Sequence, residues 1–220
     1  KPDEAEGLHG RPERPLPAEE CLLADKPEHR VMWGERKPPV AKDDPRNIWG
    51  FDMRLPPYAS HYGELYNLGI RRGTLNDEER FKINEHIVQT LMMLTTLPLP
   101  RHLRRVPTIA ANHHEKMDGT GYPRKLTREQ MSIPERVMAI ADIFEALTAA
   151  DRPYKAPKTL SESLKILAFM ARDQHIDADL FRLFISQGVY REYGERFLNP
   201  EQMDAVDVRA ILQILDGVKA

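Results

Sequence analysis

Cysteine is almost missing: Cys21 is the only one in 220 residues. That excludes a disulfide framework and a thiolate metal cluster, and it fits a reducing, cytoplasmic setting. A dominant charge is missing too, because acidic and basic residues nearly cancel to a formal net charge of −2. Such a chain lacks the cationic field that draws proteins onto nucleic-acid polymers or anionic membranes. No apolar run approaches the roughly 20 residues needed to span a bilayer, and no signal-peptide pattern stands at the start. Strand-length alternation, internal repeats and low-complexity tracts are absent as well.

What is present divides by proline. Ten of the 18 prolines fall within residues 1–57, where neither a 3.6 nor a 2.0 apolar period is visible. Proline at that density blocks helix and central strand alike, so 1–57 reads as an irregular arm or an insertion within the domain. Trp33, Trp49 and Phe51 are suited to anchor it on the domain or on a partner. The remainder, 58–220, reads as helical. Asn76-Asp77-Glu78-Glu79 is an acidic helix start, followed by Phe81, Ile83, Ile87, Val88, Leu91, Met92 and Leu94 up to Pro98. A second helix is expected from Arg101 or Leu103 to His113, with Pro107 able to delay or kink it. Ser132-Ile133-Pro134-Glu135 and Thr159-Leu160-Ser161-Glu162 both have capping-box spacing. The first opens a face of Val137, Ile140, Ala141, Phe144 and Leu147. Further helices are expected near 177–187 and 200–215. The fold class is all-α.

The chemistry concentrates at His113-His114-Glu115-Lys116-Met117-Asp118-Gly119-Thr120-Gly121-Tyr122-Pro123. Adjacent imidazoles beside a carboxylate are solvated, hydrogen-bonded or metal-bound, because burying them without partners is costly. His86 lies next to the apolar face of its helix. Asp142 is flanked by apolar residues in Met138-Ala139-Ile140-Ala141-Asp142-Ile143-Phe144. Three imidazoles and a carboxylate from three helices make a nitrogen and oxygen donor set that suits Fe, Mn, Zn or Ni better than Ca or Mg. Asp151-Arg152-Pro153-Tyr154-Lys155 offers a bidentate fork and a point charge for phosphate. Taken singly, each group has a plainer role, as a solvated helix histidine, a salt-bridge carboxylate or a basic loop. His9, His29, His61, His102 and His175 are read in that plainer way.

In this order and spacing, the histidine pair with its Gly-Tyr-Pro loop, Arg136 to Asp142 and Arg152 to Lys155 resemble the HD-GYP family. These are bacterial metal-dependent phosphodiesterases acting on cyclic di-GMP. The match runs from about residue 70 to about residue 185 and takes in the helix bearing His86. The resemblance implies a helical bundle of the HD-domain type around a divalent transition-metal site, with iron or manganese favoured. It implies that His86, His113, His114 and Asp142 are metal ligands and that Arg152 and Lys155 hold substrate phosphate. Asp118, Gly119, Gly121, Tyr122 and Pro123 would form the loop beside the metals, with Glu115 and Asp118 ordering that loop.

One family feature has no counterpart. The His-Asp dyad that precedes the His86 helix is absent, and no adjacent His-Asp pair occurs anywhere in the chain. His61 and Glu64, at i, i+3, are poorly spaced to replace it. Either the dyad lies upstream of Lys1, which would make this chain the later part of a catalytic domain and inactive alone, or the protein is a degenerate member that binds a nucleotide or docks a signalling partner or a second copy. A purely structural helical domain is the third reading. Smaller departures are Glu145, where aspartate is commoner, and one extra residue between Asp142 and Arg152.

Overall fold

A computed structural model describes residues 23–71, 73–150 and 157–217. Among these are eight α-helices: α1 (Glu64–Leu68), α2 (Asp77–Thr95), α3 (Val106–Ala111), α4 (Ile133–Thr148), α5 (Leu160–Arg172), α6 (Ala178–Ser186), α7 (Val189–Phe197) and α8 (Val208–Leu215). The only strands among the described residues are the two-residue β1 (Arg30–Val31) and β2 (Ser60–His61), antiparallel with Arg30 opposite His61. Strands that short leave no alternation in a sequence. The protein is all-α, as its periodicity indicates.

The described residues form two compact units, one lying within Lys1–Gly34 and Pro57–Arg80, the other within Glu35–Pro56 and Phe81–Ala220. In the first, the β ribbon presents His61, which is buried. Its ring stacks on Tyr66 at 4.0 Å and meets Tyr58 edge-on at 5.7 Å. His61 Nδ1 accepts the Gly63 N–H at 3.1 Å, and Glu64 Oε2 accepts the Ala24 N–H at 3.0 Å. Both side chains are therefore committed to holding this unit together. Asn76 starts α2 by reciprocal capping: its Oδ1 accepts from Glu79 N at 2.8 Å while Glu79 Oε2 accepts from Asn76 N at 3.0 Å. The acidic first turn expected at 77–79 is thus a real helix start.

The second unit holds the main core. Ile140 and Phe144 of α4 pack with Leu160, Leu164, Leu167 and Ala168 of α5, Phe181 and Ile185 of α6, Tyr190 of α7, and Ile211 and Leu215 of α8. The segment 35–56 is ordered on this unit. Val40 and Phe51 are buried, Trp49 stacks on Phe51 at 5.9 Å, and Trp49 Nε1 donates to Thr95 Oγ1 of α2 at 2.9 Å. The aromatic anchoring expected of the arm is met here by Trp49 and Phe51.

Several expectations need correction. The helix expected from 101 or 103 to His113 is only α3, because Pro107 occupies its first turn and Arg101–Leu103 forms a separate 3₁₀ turn. The chain passes Asn112 before reaching the histidines, so they lie beyond the helix. The buried face of α4 is Glu135, Ala139, Ile140, Phe144 and Thr148, whereas Val137 is 45% exposed and Ala141 lies outside. Apolar spacing could not foresee that a carboxylate would point inward. The C-terminal region divides further than expected: Gly188, at φ 70°, separates α6 from α7, and Asp207 caps a late start for α8.

Candidate metal centre

Three histidines reach one point from two elements. His86 stands on α2, and its Nδ1 faces the Ile83 carbonyl. His113 follows the end of α3, and its Nδ1 lies 2.7 Å from the Ala110 carbonyl, one of the terminal carbonyls that a helix end leaves without an intrahelical donor. A carbonyl can only accept, so both Nδ1 atoms carry the proton and both Nε2 atoms keep a free lone pair. This is how a histidine is oriented to bind a cation. The His114 ring lies 4.2 Å from that of His113, meets His86 edge-on at 5.3 Å, and stacks on Tyr122 at 4.8 Å. One ring nitrogen from each histidine falls within a mutual distance of 4.8 Å.

The electrostatics favour neutral imidazole. Burial, with His113 next in weight, pushes His114 down to about 4, and the Asp142 charge opposes this only in part. Burial and Asp142 push the Tyr122 hydroxyl up to about 12, so it stays protonated. Asp142 is half-buried on α4, within electrostatic reach of both groups, but its oxygens lie outside the tight histidine cluster. Three imidazole nitrogen donors, two with Nδ1 turned to a backbone carbonyl, with a carboxylate nearby, fit a divalent transition metal. Zinc, iron and manganese all accept such donors.

The motif loop is fixed from within. Glu115 is buried, with Oε1 accepting from Arg124 N at 2.6 Å and Oε2 from Leu126 N at 2.9 Å. Burial raises its pKa, while these N–H groups pull it back. Asp118 Oδ1 accepts from Thr120 N at 2.9 Å and Thr120 Oγ1 at 2.7 Å, and Gly119 turns the chain at φ 76°. Gly121 has no room for a side chain: a Cβ there would lie 2.5 Å from Glu115 Cα and closer still to Lys116 N. Tyr122 N then donates to His114 O at 3.2 Å, and a cis bond leads to Pro123.

Buried polar groups carry this order into the helices. Asn112, fully buried, donates from Nδ2 to Glu135 Oε1 at 2.8 Å. The other Glu135 oxygen accepts from Ser132 N, so the carboxylate expected to cap α4 also holds the residue before the histidine pair. Ser132 Oγ has no hydrogen-bond partner, leaving that capping box half made. Arg136 and Arg128 both donate to Asp177 Oδ2, and Asp177 Oδ1 caps α6 through Asp179 N and Leu180 N. Asn112 and Asp177 escape sequence reasoning. The Asp-x-Asp start of α6 is visible only as a helix cap. Arg152 and Lys155 lie outside the described residues.

An all-α protein with a converging trihistidine cluster behind a Gly-Tyr-Pro loop belongs to the class of metal-binding helical domains. A family model for the HD domain matches residues 17–180. The chain belongs to the HD domain family, in keeping with its resemblance to the HD-GYP proteins. It is 36% identical over 121 residues to the 3′3′-cGAMP-specific phosphodiesterase 1 of Vibrio cholerae, covering 54% of this chain and 27% of that protein. It is 34% identical over 119 residues to a cyclic di-GMP phosphodiesterase of Pseudomonas aeruginosa, covering 54% and 28%. With the 3′3′-cGAMP-specific phosphodiesterase 3 of V. cholerae it shares 38% over 144 residues, 64% and 30%. The chain thus spans under a third of these relatives. Among the described residues no helix is long and apolar enough to cross a membrane.

Proposed function

We propose that the chain is part of a metal-dependent phosphodiesterase that hydrolyses a cyclic dinucleotide, cyclic di-GMP being the leading substrate. The observation that carries this reading is the convergence of His86, His113 and His114, with the first two held by backbone carbonyls in the metal-ready tautomer. The names of the relatives supply the substrate class. Asp142 is the proposed carboxylate ligand. A divalent metal, iron or manganese by preference, supplies Lewis-acid stabilisation of charge developing on phosphorus.

The chain's own groups do the rest. Tyr122 covers one face of His114 and holds its ring in place, while Glu115 and Gly121 set the loop that carries Tyr122. Arg152 and Lys155 bind the non-bridging oxygens of the phosphate. Water adds to phosphorus as the bond to the 3′ oxygen breaks, and that oxygen takes up a proton. Residues 1–57 are an arm or insertion on the helical domain 58–220, in a cytoplasmic protein.

The chain has no adjacent His-Asp pair, and His61 and Glu64 serve the first unit. On this reading the 220 residues bind metal but hydrolyse little by themselves. The same observation favours a second reading, a degenerate module that binds a nucleotide, a signalling protein or a second copy without cutting. Cyclic di-GMP turnover and metal content of the complete gene product, beside its His113→Ala variant, test the first reading. Loss beyond the about 10–100-fold typical of removing a group that only supports a ligand is expected. Equal turnover by both proteins would remove the assignment. Tight binding without turnover selects the second.

A further inference from the structure

None of the chain's 34 acidic residues falls between Glu85 and Glu115, yet Arg101, Arg104 and Arg105 do. These arginines sit on the turn between α2 and α3, and all three are exposed. The turn is fixed by its own backbone: Leu97 N donates to Leu94 O at 3.3 Å, Leu99 N to Leu97 O at 2.8 Å, and Leu103 N to Pro100 O at 2.9 Å. The guanidinium groups take no part in this. Among the described residues none of the three makes a side-chain hydrogen bond or an ion pair. Arg46, Arg128, Arg136, Arg172, Arg182 and Arg196, by contrast, each hold a carboxylate.

The same turn carries an apolar hollow. A cavity of about 380 Å³ is walled by Leu94, Leu97, Leu99 and Pro107, and Arg104 joins its lining. Leu97 is 46% exposed, and Leu103 and Val106, which flank the Arg104-Arg105 pair, are 39% exposed each. Exposed arginines alone are ordinary, and so is a single exposed leucine. An apolar hollow with polar groups at its edge is the form of an interaction site. Its cations lack counter-charges, so an acidic partner completes it, and the planar guanidinium fork matches a carboxylate in geometry as well as in sign.

We propose that the turn between α2 and α3 docks an acidic amphipathic helix of a partner protein, with apolar side chains seated in the cavity and carboxylates on Arg101, Arg104 and Arg105. This goes beyond the phosphodiesterase reading and holds whether or not the chain cuts a nucleotide. A single-stranded nucleic acid fits less well, because no aromatic side chain lines the cavity to stack on a base. An anionic membrane calls for clusters of about four to eight basic residues, more than this turn offers. An added strand has nothing to pair with, since β1 and β2 lie in the first unit. A helix in a groove is the mode that remains. Its seat includes Pro107 and Thr108 of α3, the element that leads to His113.

Fluorescence anisotropy on the full chain tests it. The probe is a labelled glutamate–leucine peptide about 18 residues long, long enough to hold a helix, with leucine at every third and fourth position. Its control has lysine in place of every glutamate. The glutamate peptide should bind, more weakly as salt rises, and the lysine peptide should not. The triple variant Arg101→Gln/Arg104→Gln/Arg105→Gln and the single variant Leu97→Ser should each weaken binding about tenfold, as for lost charge-assisted bonds and a lost apolar anchor. All four side chains are exposed, so the variants should keep the wild-type circular dichroism spectrum. Equal affinity for both peptides, no binding of either, or wild-type affinity in the triple variant overturns the proposal. So does tighter arginine-dependent binding of oligouridylate or of phosphatidylserine vesicles, which gives the surface to nucleic acid or membrane. Self-association in gel filtration that the triple variant abolishes gives it to a second copy and overturns the proposal equally.

Discussion

Among the described residues, two stacked histidine–tyrosine pairs have opposite uses. In the first unit His61 lies on Tyr66 at 4.0 Å; in the second His114 lies on Tyr122 at 4.8 Å. Ring stacking is the same physical interaction in both, so it does not by itself mark a site. The difference is where the nitrogens go. His61 spends Nδ1 on the Gly63 N–H, within a polar network that also joins Asn67 and Asn76 to its carbonyl. The His114 ring makes no hydrogen bond among the described residues and faces two further imidazoles whose Nδ1 atoms are turned to backbone carbonyls. A histidine whose lone pair is used locally is architecture; several with unspent lone pairs at one point are a receptor for a cation.

The sharpest way to break this contrast is to exchange the losses. His114→Ala should bring retained metal from stoichiometric to background, measured by elemental analysis after gel filtration, while the fold persists by circular dichroism. His61→Ala should keep its metal. Should His61→Ala lose metal and His114→Ala keep it, the division of roles is wrong. The next effect belongs to the supports. Glu135→Ala leaves the buried Asn112 amide without its acceptor, and should destabilise the chain by about 1–3 kcal/mol in denaturant titration. It should also weaken metal affinity about 10–100-fold. Gly121→Ala, which drives a methyl group into Glu115 and Lys116, should weaken metal binding similarly by displacing Tyr122 from His114. Its effect should exceed that of Gly50→Ala, at φ 75° with nothing within 4 Å, which strains the backbone alone. His61→Ala itself should lower stability by about 1–3 kcal/mol, through lost stacking and an unpaired Gly63 N–H.

The smallest effect is a pH slope. The metal-free fold keeps His114 neutral down to about 4, against an ordinary value of 6.5. Between those values the unfolded chain binds a proton that the folded chain refuses, so stability falls on acidification from about pH 6.5 towards pH 4. Denaturation midpoints across that window should show a shallower fall in His114→Gln. An identical slope would assign the acid sensitivity elsewhere.

Much of this was legible in the residues, for local reasons. Asn76, Ser132 and Thr159 mark helix starts because capping depends on side chains only three residues apart. The histidine pair and its glycine-rich loop declare themselves for the same reason. What stayed hidden depends on distant partners. The inward turn of Glu135 requires Asn112, 23 residues earlier, and the double use of Asp177 requires Arg128 and Arg136. The length of α3 was readable only as a choice, and Pro107 made it.

The bond from Asp52 N to Pro123 O, 2.8 Å long, and the ion pair of Lys125 with Asp52 at 3.0 Å join the proline-rich segment to the motif loop. A truncation that begins after Pro56 therefore removes more than a dispensable leader. It strips the Pro123 carbonyl of its donor and Lys125 of its counter-ion at the residue following the Gly-Tyr pair. A piece that keeps these contacts must begin on the N-terminal side of Asp52, in a stretch that composition alone would have discarded.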